Sequence, residues 1–506
     1  MMIAKLADSL WGQRAIWRYL LLAAVILLFT LLGSREIWTQ EHRWADIVSG
    51  MFYRHDFFHP YLGQATYYDK PLLSYWLIAL LSSLTGTLST WVLRLPSALS
   101  GVLALWAIFR LGTQIKNKQL GLLAAWMLLT TYFFVFWART SSADMLNMAG
   151  SLFAVSWYFD KKQQASGMDY AVFFMILALT SLCKGLVGAM VPLLAVFVDI
   201  VLQRSWRRHL RWPLLFAVIP ALTVYLLPFW LSSHFGGEQY GESGLYLVYK
   251  ENVLRYFKPF DHRGPLYTYF VFLPIYTLPW AFFLVPALLA LRSRWTSLSL
   301  NVRWLIWSLL VIFLFFTVSG SRRSYYVLPL VPFAILLTAE WITAAPSLAW
   351  RQWLATVVLI VTYVILFLGM DVVPAWYYSQ VGVEKFAVQL KREAAKQRPW
   401  PTWQVVMLDA ETKLDFYLQL PPDTRHYSVI GERETLDAST ITAAWPILND
   451  KPKNTIFVTR EQYVSALLPY FQHYFMFKLE QPTHFLWQKK AVINAPVAFI
   501  PIEKKS

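Results

Sequence analysis

The sequence is poor in charged residues and almost without cysteine. Charged side chains make up 15% of its 506 residues, whereas soluble domains carry roughly 25%. The single cysteine, Cys183, excludes an intramolecular disulfide and a zinc cluster built on cysteine ligands. Hydrophobic residues make up 57% of the chain and come in long blocks. These blocks favour a chain buried in lipid over a soluble protein of several domains.

The apolar blocks predict about eleven transmembrane helices, since a bilayer core takes about 20 apolar residues as a helix. Prolines inside several blocks do not exclude them, because neighbouring groups can satisfy the freed backbone. The first block follows Lys5, Arg14 and Arg18 and lacks a small-residue cleavage pattern, so we interpret it as a retained helix and not a signal peptide. The predicted helices are residues 15–33, 92–112, 119–138, 144–160, 169–184, 187–203, 212–232, 268–291, 303–319, 324–344 and 353–371.

The basic residues set the predicted orientation. They occupy alternate connections, and cytoplasmic loops carry an excess of lysine and arginine. The net charge of +16 therefore indicates membrane topology and not nucleic-acid binding. The N-terminus is predicted to be cytoplasmic, with the large first loop (residues 34–91), the loop 233–267 and the tail after residue 371 outside. We interpret Leu72–Gly86 as interfacial or re-entrant, because a full span there would invert every later loop.

The tail predicts a second domain. Residues 1–371 form the predicted membrane domain, and residues 372–506 have the short apolar runs of a small α/β domain. The predicted fold class is therefore an all-α polytopic membrane domain with a small extracytoplasmic α/β domain. The predicted strand and helix pairs are Val405–Leu408 with Ala410–Leu420 and Thr455–Val458 with Arg460–Tyr470, followed by a hairpin of Tyr474–Leu479 and Phe485–Lys489.

Acidic and basic residues gather in the loops of the predicted outer face. A carboxylate can take a proton from an acceptor hydroxyl, and lysine or arginine can bind a phosphate and stabilise it as it leaves. The sequence therefore indicates transfer of a group from an anionic lipid. The candidate catalytic acids are Glu41, Asp69 and Asp144, and the candidate phosphate-binding residues are Arg43, Lys70, Lys184, Arg322, Arg323 and Tyr326. The loop before residue 268 carries further charged residues, which are Glu251, Arg255, His262 and Arg263.

Each candidate also has a structural interpretation. Glu41 and Arg43 fit a solvated first turn after the first helix, and Asp69 with Lys70 fits a surface pair before a proline-started helix. Asp144 fits a helix N-cap, and a lysine at a helix end can extend its ammonium to the interface, which suits Lys184. His262 fits an interfacial histidine, and Arg322 and Arg323 fit flanking charges. The two arginines, however, lie on the face where positive charge is disfavoured.

The order of these motifs resembles that of the bacterial GT-C glycosyltransferases of the protein-O-mannosyltransferase-like superfamily, and within it the lipid A 4-amino-4-deoxy-L-arabinose transferases. The resemblance covers about residues 35–345. It implies a polyprenyl-phosphate sugar donor, an inverting transfer on the outer face and an extracytoplasmic C-terminal domain. The matching motifs are Tyr68-Asp69-Lys70-Pro71 with Tyr75-Trp76, Arg94-Leu95-Pro96-Ser97, Ala138-Arg139 with Asp144, Lys184-Gly185, Pro279-Trp280 and Ser319…Arg322…Tyr326-Val327-Leu328-Pro329.

The first-loop motif departs from the family pattern. The family has Asp-Glu-x-Arg-Tyr/Trp-Ala there, and its Asp is the usual catalytic candidate. This chain has Gln40-Glu41-His42-Arg43-Trp44-Ala45. Either Glu41 takes over the role of the missing acid, or the activity is altered or lost. The resemblance also implies a divalent cation held by the acid at Asp69 and the loop histidine His262.

Three classes of function fit the sequence. The first is an enzyme that moves a sugar from a polyprenyl-phosphate carrier to an outer-leaflet acceptor, which is lipid A, a protein hydroxyl or another envelope glycan. The second is a transporter or flippase, but transporters place polar groups near mid-membrane in repeated halves, and the sequence has no internal repeat. The third is a non-catalytic relative that binds the lipid carrier or a partner, which the glutamine at Gln40 favours.

Overall fold

The structure is a computed structural model, and it describes residues 7–12, 17–62, 65–235, 246, 248–259, 262–344, 349–422, 424–427, 454–479 and 494–502. The chain divides into two compact units. The first comprises Met1–Gly33, Phe57–Pro60 and Thr66–Val372, and the second comprises Ser34–Asp56, Tyr61–Ala65 and Val373–Ser506. Residues 34–56 of the predicted outer loop thus group with the tail.

Helices make up the first unit. Six described helices are long and apolar enough to cross a membrane, or eight when each of two bent pairs counts as one span. The chain is therefore a multi-pass membrane protein, while the count of about eleven helices stays a prediction. The six helices are Thr90–Ile115, Gly167–Lys184, Trp212–His234, Leu300–Val318, Ser324–Thr343 and Trp350–Ala395, whose residues after Val372 belong to the second unit. The bent pairs are Lys118–Leu129 with Tyr132–Ala138 (70°) and Thr268–Tyr276 with Ala281–Leu289 (118°).

Several predicted spans are shorter or less apolar in the structure. Trp17–Phe29 and Val187–Gln203 fall below the length of a full span, and Ala143–Lys161 carries acids at both ends. The ambiguous segment is the helix Leu73–Thr85, which has 13 residues, whereas a span takes about 20. Ser324–Thr343 consists of a 3-10 helix, Ser324–Leu330, and an α-helix, Val331–Thr343, and the sixth long helix contains the α-helix Ala349–Phe367 and the π-helix Leu368–Val372. Shorter elements of this unit are Trp206–His209, the π-helix Tyr249–Leu254, Arg255–Phe257, Leu291–Arg294 and the 3-10 helix Trp295–Ser297.

Capping and small residues explain how these helices begin and pack. The side chains of Ser89, Asn117 and Ser299 accept backbone N–H groups in the first turns of their helices, which satisfies donors without an intrahelical partner. Gly112 and Gly121 allow two helices to approach closely, since a Cβ at Gly112 would lie 2.7 Å from the Cα of Gly121. Small residues serve the same purpose in other membrane proteins.

The second unit contains a mixed five-stranded sheet. Its strands are β3 (Gln404–Leu408), β4 (Arg425–Tyr427), β5 (Thr455–Arg460), β6 (Tyr474–Lys478) and β7 (Pro496–Pro501), numbered after the short strands β1 (Tyr61–Leu62) and β2 (Ala65–Thr66). The order is β4-β3-β5-β7-β6. β3 runs parallel to β4 and β5, whereas β7 is antiparallel to β5 and β6. β6 thus pairs with β7, and the predicted partner strand Phe485–Lys489 lies outside the described residues.

Helices and the first-loop segment pack with this sheet in the second unit. The helices are Thr39–Arg54, Val373–Val381, Val383–Ala395, Lys413–Leu418 and Glu461–Leu467. Phe386 and Leu390 share a buried core with Met407 and Ile456 of the sheet. The carboxylate of Glu36 pairs with the ammonium of Lys413 at 2.7 Å. Residues near the start of the predicted outer loop are therefore held by the tail within one compact unit.

Candidate functional site

A cavity of about 380 Å³ in the first unit brings together candidate residues from distant parts of the chain. Its polar side is formed by the loop before Leu73–Thr85, the helix Ala143–Lys161, the end of Gly167–Lys184 and the π-helix Tyr249–Leu254. Its lining contains the candidates Asp69, Lys70, Lys184 and Tyr326. Further polar lining residues are Asn147, Glu251, Asn252, Arg255, Ser319 and Ser321, and the apolar lining residues include Met190, Phe229, Val253, Phe257, Phe315 and Phe316.

Asp69 is the centre of an ion-pair cluster at this cavity. One carboxylate oxygen lies 2.9 Å from the Nζ of Lys70, and the other lies 2.9 Å from the Nη1 of Arg255. The hydroxyl of Tyr67 donates a further hydrogen bond at 3.0 Å. Arg255 also pairs with Glu251 at 2.5 Å. Two cations and two carboxylates therefore lie side by side on the wall of the cavity.

The cluster fixes the charge of Asp69. Burial acts to raise the pKa of this carboxyl, but the neighbouring cations Lys70 and Arg255 outweigh it and hold the pKa well below its usual range. An Asp carboxyl ordinarily titrates near pH 4. Asp69 is therefore ionised throughout the physiological range, where it orients the two cations.

A second ion pair lies at the same cavity. The ammonium of Lys184, at the end of its helix, pairs with the carboxylate of Asp144, and both side chains are buried. The ring centroid of Tyr326 lies 4.9 Å from the Nζ of Lys184. Ser142, and not Asp144, is the N-cap of the helix, since its hydroxyl accepts the backbone N–H of Asp144. The carboxylate of Asp144 is thus used to neutralise a buried lysine.

Arg322 and Arg323 connect loops and are not among the residues that line the cavity. The guanidinium of Arg322 donates to the carbonyl oxygens of Thr317, at 2.9 Å, and of Gly264. Arg323 lies 3.1 Å from the Nδ1 of His262. In this arrangement both arginines hold the His262 loop against the turn that follows Leu300–Val318.

Glu41 and Arg43 belong to the second unit. The side chain of Glu41 is fully buried, at 0% exposure. Its carboxylate accepts the backbone N–H of Trp38 at 2.8 Å and lies 3.4 Å from the guanidinium of Arg35. This is the backbone contact that a Glu at the third helical position makes in a capping box. Arg43 is exposed, and Gln40 is half-buried.

The predicted metal-binding residues Asp69 and His262 each contact a basic side chain in the structure. No group of three His, Cys, Asp or Glu side chains comes together within the part of the chain that the structure describes. Both carboxylate oxygens of Asp69 already face cations, and the Nδ1 of His262 faces Arg323. A divalent ion at Asp69 would therefore have to displace Lys70 and Arg255.

Sequence reasoning did not select Arg255 and Glu251 as site residues. Their signal in the sequence is an acid and a base four residues apart in a predicted outer loop, which is a spacing that forms ion pairs on helices. Such pairs are common on ordinary helix surfaces. Only the folded chain shows that Arg255 reaches Asp69, 186 residues away.

Comparisons with known proteins identify the class of fold. A family profile described as dolichyl-phosphate-mannose-protein mannosyltransferase matches residues 69–231. The crystal structure of ArnT from Cupriavidus metallidurans bound to undecaprenyl phosphate superposes with a TM-score of 0.70 at 18% identity, covering 96% of this chain and 97% of that one. The Archaeoglobus fulgidus oligosaccharyltransferase in the apo form has a TM-score of 0.51 at 11% identity, covering 93% and 74%. The chain thus has the GT-C fold that its motifs predicted.

Particular relatives bear the name undecaprenyl phosphate-alpha-4-amino-4-deoxy-L-arabinose arabinosyl transferase. That of Shewanella sediminis is 26% identical over 331 residues, which are 63% of this chain and 58% of the relative. That of Pectobacterium atrosepticum is 27% identical over 334 residues, with coverages of 63% and 58%. The alignments therefore span less than two thirds of the relatives' length. They confirm the resemblance to this group of GT-C glycosyltransferases.

Proposed function

We propose that the protein is an inverting glycosyltransferase that moves a sugar from a polyprenyl-phosphate carrier to an acceptor in the outer leaflet. The observation that carries the proposal is the cavity of the first unit, whose lining combines the cations Lys70, Lys184 and Arg255 with many apolar side chains. A polyprenyl-phosphate sugar combines the same two properties, an anionic phosphate and a long hydrocarbon chain. The names of the relatives, with undecaprenyl phosphate as carrier, support the same donor.

Lys70, Lys184 and Arg255 are the proposed phosphate-binding residues. All three are basic side chains that line the cavity. During transfer the acceptor hydroxyl oxygen forms a bond to the anomeric carbon and gives up its proton to water or a carboxylate. The bond from that carbon to the phosphate oxygen breaks, and the carrier phosphate leaves with the electron pair. Cations placed at that oxygen stabilise the charge as it develops. The aromatic side chains Phe229 and Phe316 are proposed to contact the first isoprene units.

The acceptor is proposed to be lipid A, with an aminoarabinose-like sugar as the group transferred. The names of the relatives specify that sugar. The matching family profile is described as a mannosyltransferase of proteins, so a protein hydroxyl or another envelope glycan is the alternative acceptor. The test supplies purified protein with undecaprenyl-phosphate aminoarabinose or mannose and with lipid A or an acceptor peptide. If no combination of donor and acceptor supports sugar transfer, the transporter or the non-catalytic carrier binder is favoured. Flippase and binding assays then separate these two alternatives.

Lys70→Ala should weaken binding of undecaprenyl phosphate by roughly ten- to a hundredfold, because a charge-assisted hydrogen bond contributes about 1.5–3 kcal/mol. Arg255→Ala should do the same, and it also leaves Asp69 and Glu251 without their shared cation. The matched control is Lys118→Ala, an exposed lysine in a predicted cytoplasmic connection. Unchanged affinity in both Lys70→Ala and Arg255→Ala, measured by titration in detergent, would place the carrier phosphate elsewhere.

The proposed location is the inner membrane, with about eleven transmembrane helices, the N-terminus in the cytoplasm and the α/β domain outside. The basic connections support this orientation. A reporter enzyme fused after Asp371 should be active only outside the cytoplasm, and one inserted at Arg207 only inside. A cytoplasmic signal from the first fusion would invert the topology and place the cavity on the wrong face.

Chelation tests the divalent cation that the family resemblance implies at Asp69 and His262. Because Lys70 and Arg255 already neutralise Asp69, we expect sugar transfer to continue in excess EDTA. Activity that EDTA removes and magnesium or manganese restores would instead support a metal ion at Asp69. Binding of undecaprenyl phosphate, measured in the same samples, separates a loss of carrier binding from a loss of chemistry.

A further inference from the structure

Asn147 is a buried amide at the cavity whose side chain lacks a hydrogen-bond partner within the described part of the chain. It is 1% exposed and lines the cavity. Among the residues that the structure describes, neither its Oδ1 nor its Nδ2 has a hydrogen-bond partner. It follows Asp144 by three residues on one helix face, about 4.5 Å further along the axis. The amide therefore lies about one helical turn after Asp144, on the same face of the helix as the Lys184–Asp144 pair.

Ser321 repeats this arrangement on another part of the chain. It comes from the turn after Leu300–Val318, is 4% exposed and lines the same cavity. Its Oγ has no hydrogen-bond partner within the described residues. Two segments thus each bring to the same cavity a polar group that has no partner among the described residues.

Unsatisfied groups of this kind require a physical explanation. A buried polar atom that loses its partner costs about 1–3 kcal/mol, and native proteins contain few of them. A packing role does not explain Asn147, since leucine has a similar volume without the polar atoms. A ligand that brings its own donors and acceptors explains both residues at once.

We propose that Asn147, together with Ser321, recognises the sugar of the donor by hydrogen bonds to its hydroxyl or amino groups. The inference rests on the proposed function and adds to it the residues that recognise the sugar by hydrogen bonding. An amide both donates and accepts, as does a hydroxyl, so the pair can bind neighbouring substituents on one sugar ring. The cations Lys70, Lys184 and Arg255 bind the phosphate, and Asn147 and Ser321 distinguish a carrier with a sugar from a carrier without one.

The test compares two ligands on one variant. Asn147→Leu is titrated with undecaprenyl phosphate and with undecaprenyl-phosphate 4-amino-4-deoxy-L-arabinose, and its thermal unfolding is followed in detergent. We expect affinity for the sugar-bearing donor to fall by about ten- to a hundredfold, with affinity for the bare carrier unchanged. The unfolding temperature should stay the same or rise, because an unsatisfied buried amide is removed. Ser321→Ala should show the same pattern with a smaller loss.

Asn301→Leu is the matched control, because Asn301 is an amide at the start of Leu300–Val318 whose Nδ2 donates to backbone carbonyls. It should leave both affinities unchanged. Equal affinity of the wild type and Asn147→Leu for the sugar-bearing donor would overturn the inference, as would an equal loss for both ligands. A wild-type protein that binds neither ligand would overturn the proposed function and the inference with it. If Lys70→Ala loses affinity for both ligands while Asn147→Leu binds both like the wild type, the proposed function stands and only the inference about Asn147 fails.

Discussion

Asp69→Asn is expected to lower the rate of sugar transfer by about 10²-fold, because it removes the carboxylate that orients the proposed phosphate-binding cations, and misplaced groups in an active site cost about that much. The substitution keeps the size of the side chain but removes the charge that pairs with Lys70 and Arg255. Because the pKa of Asp69 lies well below its usual range, the carboxylate stays ionised from pH 5 to pH 8. Its protonation should therefore contribute nothing to the pH profile of the rate in that window.

Glu41→Gln is the comparison that tests the choice of acid. Glutamine keeps an oxygen that can accept the backbone N–H of Trp38, so folding should persist. We expect its rate to stay near that of the wild type, like the rate of the control Asp160→Asn, an exposed acid at the far end of Ala143–Lys161. If Glu41→Gln is inactive while Asp69→Asn keeps its activity, the essential carboxylate belongs to the first-loop motif. Activity created by Gln40→Asp in an otherwise inactive protein would support the non-catalytic interpretation.

Asp144→Leu should destabilise the folded protein by about 3–5 kcal/mol, because removing one member of a buried ion pair leaves the other charge without compensation. The charge left behind is the ammonium of Lys184. The double variant Asp144→Leu/Lys184→Met should recover most of the stability, since an apolar pair of similar volume can replace a buried ion pair. The measurement is the free energy of unfolding in detergent.

Asp160→Ala serves as the control for this stability measurement. Asp160 pairs with Arg110 at 2.6 Å, but both side chains are partly exposed to solvent. Exposed ion pairs contribute about 0–1 kcal/mol, so the control should change stability little. A double variant as unstable as Asp144→Leu alone would show that Asp144 acts through other contacts than Lys184.

The candidate site was partly predictable, for a reason that differs from residue to residue. Asp69, Lys70 and Lys184 stand in motifs whose order along the chain predicted a common site, and the structure brings all three to one cavity. Arg322 and Arg323 had the right charge in the right loop, but their guanidinium groups contact backbone carbonyls and a histidine. A sequence gives the charge of an arginine and not the direction in which its side chain extends.

The sequence by itself determined the class of protein. Hydrophobic blocks and scarce charges require helices in lipid, because a backbone in hydrocarbon must satisfy its own hydrogen bonds, and the ordered motifs predicted the GT-C fold. Only the tertiary structure decided which polar groups meet. Arg255 reaches Asp69 across 186 positions, Glu41 is buried in the capping of its own helix, and Asn147 faces the cavity without a partner among the described residues. These are properties of side-chain direction and packing between distant segments, which local patterns of residues do not encode.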